Sequence, residues 1–114
     1  MSEVKTEETT FERRRALRVP VAITVEVRDA RGFSLHSSKD LSAGGVFFDR
    51  AIPHPVGAKV SLTFTLPGDV EPIRCDGEVV NVPNAKTYGM GVRFQDLSQD
   101  DLTRLLAFVQ AHMS

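Results

Sequence analysis

Residues 19–27, VPVAITVEV, carry the pattern that decides the fold of this 114-residue chain. Apolar side chains occupy every second position of the stretch, at Val19, Val21, Ile23, Val25 and Val27. Successive side chains of a β-strand point to opposite faces, so this spacing predicts a strand with one buried face. Pro20 disfavours helix at the residue before it, which agrees with a strand.

Five further short segments downstream predict strands. They cover residues 33–39, 46–48, 60–66, 73–79 and 88–94, and turns or loops containing Gly, Pro, Asn or Asp separate most of them. Short strands at such even spacing are typical of a small antiparallel barrel, whose closure removes exposed sheet edges. The sequence therefore predicts an all-β fold built on a six-stranded antiparallel barrel.

One C-terminal α-helix is expected after the last strand. Ser98 is a good N-cap, and Asp101 lies three residues on as a shortened capping-box partner. The apolar residues that follow have helical spacing, so one face of the helix should pack on the barrel: Leu102, Leu105, Leu106 and Val109.

Composition narrows the functional classes. A net charge of −1 argues against a nucleic-acid binder that works by bulk electrostatics. Cys75 is the only cysteine, which excludes an internal disulfide and a cysteine metal cluster. There is no apolar run of about 20 residues and no apolar signal core, so we expect a cytoplasmic protein without membrane insertion.

The segment before the first strand is strongly polarised in charge. Residues 1–11 are acidic and lack periodicity, and we expect a disordered arm there, followed by one domain over 12–114. The next stretch, RRRALR at residues 13–18, contains four arginines, and Arg14 and Arg18 form R-x-x-x-R. A guanidinium binds phosphate, or the O6/N7 edge of guanine, with two hydrogen bonds.

A second motif lies between the second and third predicted strands. Asp40, Ser42 and Gly45 form D-x-S-x-x-G within the stretch DLSAGG. A carboxylate can accept hydrogen bonds from the N1–H and N2–H₂ donors of guanine. An arginine arm facing an Asp/Ser/Gly turn is therefore chemically suited to an anionic guanine nucleotide.

With both motifs in this order, the chain resembles the PilZ domain, the bacterial receptor module for cyclic di-GMP. The resemblance covers about residues 12 to 112, and the 22 positions between Arg18 and Asp40 are within the usual separation of the two motifs. It implies a PilZ-type six-stranded barrel with a C-terminal helix, and cyclic di-GMP as ligand without a further cofactor.

The resemblance also implies roles for the motif residues. Arg14 and Arg18 would contact guanine edges and phosphates, and Asp40 would bind the guanine donors. Ser42 would donate to the ligand or accept from it, while Gly45 and Gly44 would leave room for the nucleotide and permit unusual backbone angles. Two further arginines, Arg13 and Arg15, are available for additional contacts. An arm that becomes ordered on the barrel would signal to an unidentified protein partner.

Two other readings of the sequence compete with the receptor. One is a PilZ-type adaptor that works through protein contacts and binds the nucleotide weakly or not at all. One departure from the family pattern is Asn81, where an aromatic residue is common. The other is a single-stranded nucleic-acid binder, which would require exposed aromatics on a basic groove. The sequence contains no acid–base pair, nucleophile setting or metal-ligand spacing that would indicate an enzyme or a metal site. It does not indicate an oligomeric state.

Overall fold

The computed structural model describes residues 17–50, 54–81 and 89–113. The predicted acidic arm at 1–11 and the arginines Arg13, Arg14 and Arg15 lie outside these ranges. The described residues form eight strands and one helix: β1 (Val19–Pro20), β2 (Thr24–Asp29), β3 (Gly32–Ser37), β4 (Asp40–Leu41), β5 (Gly45–Phe48), β6 (Lys59–Phe64), β7 (Ile73–Asn81), β8 (Met90–Gln95) and α1 (Gln99–Ala111). The helix, of 13 residues, is neither long nor apolar enough to cross a bilayer.

All eight strands belong to one antiparallel sheet in the order β1-β4-β5-β8-β7-β6-β2-β3. The pair β1–β4 at one end of the sheet and the pair β2–β3 at the other end belong to the same hairpin, because β1 continues into β2 and β3 continues into β4. This hairpin is bent between the two pairs. Across the bend, the amide of Val21 donates to the carbonyl of Lys39 at 3.2 Å, and that of Ser38 donates to Ile23 at 2.9 Å. The sheet is strongly curled into a half-barrel, which confirms the predicted barrel-type fold. Within the described residues it is not closed as expected, since β1 and β3 remain as its two edge strands.

The difference between six predicted and eight observed strands has two sources. The bend divides the first predicted strand into β1 and β2, and the short strand β4 (Asp40–Leu41) forms where the sequence predicted a turn after residue 39. Ser38 satisfies the backbone groups that the bend displaces. Its buried hydroxyl donates to the carbonyl of Val21 at 2.6 Å and accepts from the amide of Ile23 at 2.9 Å. A buried backbone group without a partner would destabilise the fold by about 1–3 kcal/mol. The Ser38 hydroxyl avoids this cost at the bend because it hydrogen-bonds both backbone groups.

The core follows the predicted alternation. Val19, Ile23, Val25 and Val27 are buried, while Val21, at the bend, only packs against the core from its edge. On the helix, the side chains of Leu105, Phe108 and Val109 are buried in the same core. Ser98 caps α1 by accepting from the amide of Asp101 at 3.1 Å, which confirms the predicted helix start. The carboxylate of Asp101 pairs with Arg104 at 2.9 Å.

Cys75 provides a simple test of this core. Its side chain is buried on β7, and burial, with a smaller contribution from the charges of Asp76 and Asp101, raises the pKa of the thiol to about 12. The reactive thiolate is therefore almost absent at pH 8. We expect the native protein not to react with an aromatic disulfide reagent at that pH, and one thiol per chain to react after unfolding in guanidinium. Rapid reaction of the folded protein would contradict the packing of β7.

Candidate functional site

The two sequence motifs meet where β1 pairs with β4. In this pair Val19 lies opposite Leu41, and Pro20 lies opposite Asp40. Arg18, the residue before β1, consequently lies beside Asp40, with its Nη1 atom 3.5 Å from Asp40 Oδ1. The structure thus brings together one residue from each motif, whereas Arg14 lies outside the described ranges.

Alternation along the chain points the guanidinium of Arg18 away from the core. Leu17 packs against the core and Val19 is buried in it, so the residue between them faces outward. The Arg18 side chain is 64% exposed, against 22% for the Asp40 side chain. The arginine is therefore open to a ligand, and the carboxylate is partly sheltered beside it.

Ser42 shapes the turn that follows Asp40. Its hydroxyl donates to the carbonyl of Gly45 at 3.3 Å and accepts from the amides of Gly44 and Gly45, both at 3.1 Å. These contacts use the one donor and both acceptor positions of a hydroxyl. The residue is also buried. In this arrangement Ser42 supports the site by fixing the turn, and its hydroxyl has no spare capacity for a ligand.

Replacing Ser42 should therefore affect stability. We expect Ser42→Ala to lower the free energy of unfolding by about 1–3 kcal/mol, because two amides of the turn would lose their acceptor in a partly buried place. Urea denaturation measures the change. Ser61→Ala is the matched control, since Ser61 is exposed and its hydroxyl lies 3.5 Å from Asp76. The control should stay within about 0.5 kcal/mol of the parent protein, and equal effects of the two substitutions would contradict the assigned role.

Gly45 is required by the sheet. A Cβ atom at this position would overlap the backbone carbonyl oxygen of Val92 on β8. The expectation that Gly45 supplies an unusual backbone angle is wrong, since the glycines with positive φ are Gly32, Gly57 and Gly68. Its missing side chain instead lets β5 lie close to β8.

Gly44 is held in place through its backbone. Its amide donates to the hydroxyl of Ser42, and its carbonyl accepts from the amide of Phe94 at 2.9 Å. The turn is therefore attached to β8 at this point. The Asp40–Gly45 stretch is thus hydrogen-bonded to β8, which is separated from β4 in the sheet by β5.

A row of residues extends the site across the outer face of the sheet. Asp40 pairs with Phe47 on β5, and Phe47 pairs with Gly91 on β8. Val46 and Phe48 belong to the core, so Phe47 between them lies on the outer face, where it is half-buried. Phe47 does not stand out in the sequence, because residues 46–48 are all apolar and nothing marks which of them faces outward.

A second, charged row of residues crosses the outer face two residues further along β8, at Arg93. Arg93 pairs with Gly45 in the sheet and lies 3.0 Å from Glu78, which also lies 3.5 Å from Lys59. The hydrogen bond from Arg93, together with the charge of Lys59, holds the pKa of Glu78 below its usual range. Two cations face one carboxylate here, so this row is net positive, as an anionic ligand requires. The sequence around Arg93 contains no motif that would indicate its position in this row.

A family model described as the PilZ domain matches residues 12–111. Among solved structures, the chain is similar to the inhibitor of motility MotI/DgrA of Bacillus subtilis, with a TM-score of 0.71 and 20% identity over 83% of this chain and 48% of that one. The PilZ domain of YcgR from Escherichia coli, solved with c-di-GMP, gives a TM-score of 0.66 and 18% identity over 88% and 91% of the two chains.

The PilZ domain of CeSA from a cellulose-synthesizing bacterium gives a TM-score of 0.61 and 20% identity over 82% of this chain and 95% of that one. This chain spans about half the length of the MotI/DgrA chain but nearly all of the two isolated domains. No curated protein sequence matches it significantly. At these identities the solved structures establish a shared fold.

Proposed function

This chain belongs to the PilZ domain family, and from that premise we propose that it is a receptor for cyclic di-GMP. PilZ domains are regulatory binding domains rather than enzymes. The proposed site consists of Arg18 and Asp40, with the turn of Ser42, Gly44 and Gly45 holding Asp40 in position.

The observation that carries the proposal is the 3.5 Å approach of Arg18 to Asp40. Guanine presents the complement of this pair, with N1–H and N2–H₂ donors for the carboxylate and O6 and N7 acceptors for a guanidinium. The ligand's phosphates offer a second acceptor for the arginine. In the complex, Asp40 would therefore bind guanine donors in place of Arg18, and Arg18 would bind guanine or phosphate acceptors in place of Asp40.

The energies favour that exchange. An exposed ion pair contributes at most about 1 kcal/mol, and Arg18 is mostly exposed. A bidentate arginine–guanine contact gives about 1–3 kcal/mol. Several such contacts are needed to offset the ordering of an arm, since each backbone residue that becomes fixed costs roughly 1–2 kcal/mol. We propose Arg14 as the second guanidinium of the R-x-x-x-R motif, with Arg13 and Arg15 as further cations.

The signal would pass to a protein partner when the arm becomes ordered, and we place the receptor in the bacterial cytoplasm. An apolar surface suited to protein contact lies on the edge strand β3, where Phe33 and Leu35 are 59% and 62% exposed. This surface equally supports the second candidate function, a PilZ-type adaptor that works through protein contacts with weak or no nucleotide binding. Nucleotide affinity separates the two.

Calorimetric titration with cyclic di-GMP tests the receptor, with GTP and cyclic GMP as controls. We expect saturable binding of cyclic di-GMP and at least tenfold weaker binding of both controls, because neither offers two guanines joined by phosphodiesters. Absence of binding at low ionic strength, where charge interactions are strongest, would reject the receptor in favour of the adaptor.

A further inference from the structure

We infer that Phe47 is the stacking surface for the guanine whose donor edge Asp40 binds. This inference rests on the proposed receptor function and adds to it a residue that determines how the base is held. It assigns the aromatic ring on the outer face of β5 a part in ligand binding that neither sequence motif contains.

The pairing of the strands places the two side chains together. Asp40 and Phe47 are direct cross-strand partners on β4 and β5, and residues so related have Cβ atoms about 4.5–5.5 Å apart on the same face of a sheet. A base stacked on the ring would lie above the sheet surface, beside the projecting carboxylate. Asp40 would then reach the edge of that base, while Phe47 would contact its face.

The neighbours of Phe47 favour this use of the ring. Its partner on the other side is Gly91, which adds no side chain to the outer face. The adjacent positions Val46 and Phe48 supply the core contacts of β5, whereas Phe47 lies outside the core cluster. A large aromatic side chain that the core does not use, next to a carboxylate and an arginine, is suited to a purine.

Two substitutions to leucine test the contribution to affinity. Stacking of one base on an aromatic side chain accounts for roughly a ten- to hundredfold change in binding constant. We expect Phe47→Leu to weaken cyclic di-GMP binding by that factor with little change in thermal midpoint. Phe33→Leu, which removes an exposed aromatic from the remote edge strand, should leave affinity unchanged. Equal affinity of Phe47→Leu and the parent protein would overturn the inference.

Fluorescence gives a readout that a merely structural role would not produce. The chain contains no tryptophan, so Phe47→Trp introduces a single indole at the proposed contact. Guanine quenches indole emission when the rings stack, and we expect quenching to saturate with cyclic di-GMP while affinity is retained. Phe33→Trp should show no quenching.

The outcomes separate this inference from the receptor function. If the Phe47→Trp protein binds the nucleotide by calorimetry without a change in emission, the stacking surface is rejected and the receptor stands. If the parent protein does not bind cyclic di-GMP, the receptor function fails and the inference fails with it.

Discussion

Arg18→Ala is expected to weaken cyclic di-GMP binding about a hundredfold or more. The substitution removes a guanidinium whose bidentate contact with guanine is worth about 1–3 kcal/mol, together with a charge-assisted contact to phosphate. It also removes the partner that holds Asp40 in the free protein, at 3.5 Å. Because Arg18 is mostly exposed, thermal stability should change little.

Matched variants distinguish a specific contact from a general loss of charge. Arg31→Ala removes the same charge from the exposed turn between β2 and β3, and its affinity should match that of the parent protein. Arg18→Lys keeps the charge but loses the planar fork, so its affinity should be intermediate. If Arg31→Ala and Arg18→Ala weakened binding equally, attraction would be non-specific and the assignment of Arg18 would be wrong.

Gly45→Ala is expected to have the largest effect on stability among substitutions at the site. The new methyl group would overlap the carbonyl oxygen of Val92, which is backbone and belongs to the sheet. Relief requires β5 and β8 to separate, and overpacking of this kind costs typically 1–3 kcal/mol. The loss should lie near 3 kcal/mol, and cyclic di-GMP binding should fall as well, since Phe47 and the turn move with β5.

Gly68→Ala is the control for the loss of a glycine. Gly68 has a φ of 91° but open space around its Cβ position, so its substitution tests backbone strain without a clash. It should lower stability by about 1–2 kcal/mol and leave nucleotide binding unchanged. Urea denaturation and calorimetry of both variants measure the two effects. A Gly45→Ala protein as stable as the parent would contradict the close approach of β5 and β8.

The sequence predicted the fold well because alternation and helix capping are local signals. The alternate apolar residues of 19–27 enter the core, apart from Val21, which packs against its edge, and Ser98 caps the helix where its pattern begins. The bend at Val21 and Ser38 was not predictable, since it depends on a serine hydroxyl that bonds backbone groups 15 and 17 residues away. The residues in the bend retain the alternation of a straight strand.

The site was predictable only in part. Asp40 and Arg18 lie in motifs, but their contact depends on the pairing of β1 with β4, which the sequence does not reveal. Phe47 and Arg93 belong to the same face only through cross-strand register, a property of partners distant in the chain. Ser42 was correctly placed at the turn, yet its bonds within that turn could be seen only in three dimensions.

The most direct test of the account is a titration of ¹⁵N-labelled protein with cyclic di-GMP, followed by amide chemical shifts. We predict that shifts change at Arg18, at residues 40–47 and at Gly91, and stay constant along β3 and α1. Saturation with the calorimetric affinity would tie these shifts to the bound nucleotide. Shifts confined to β3 or α1, or none at all, would contradict a nucleotide site formed by the arginine segment and the Asp40 turn.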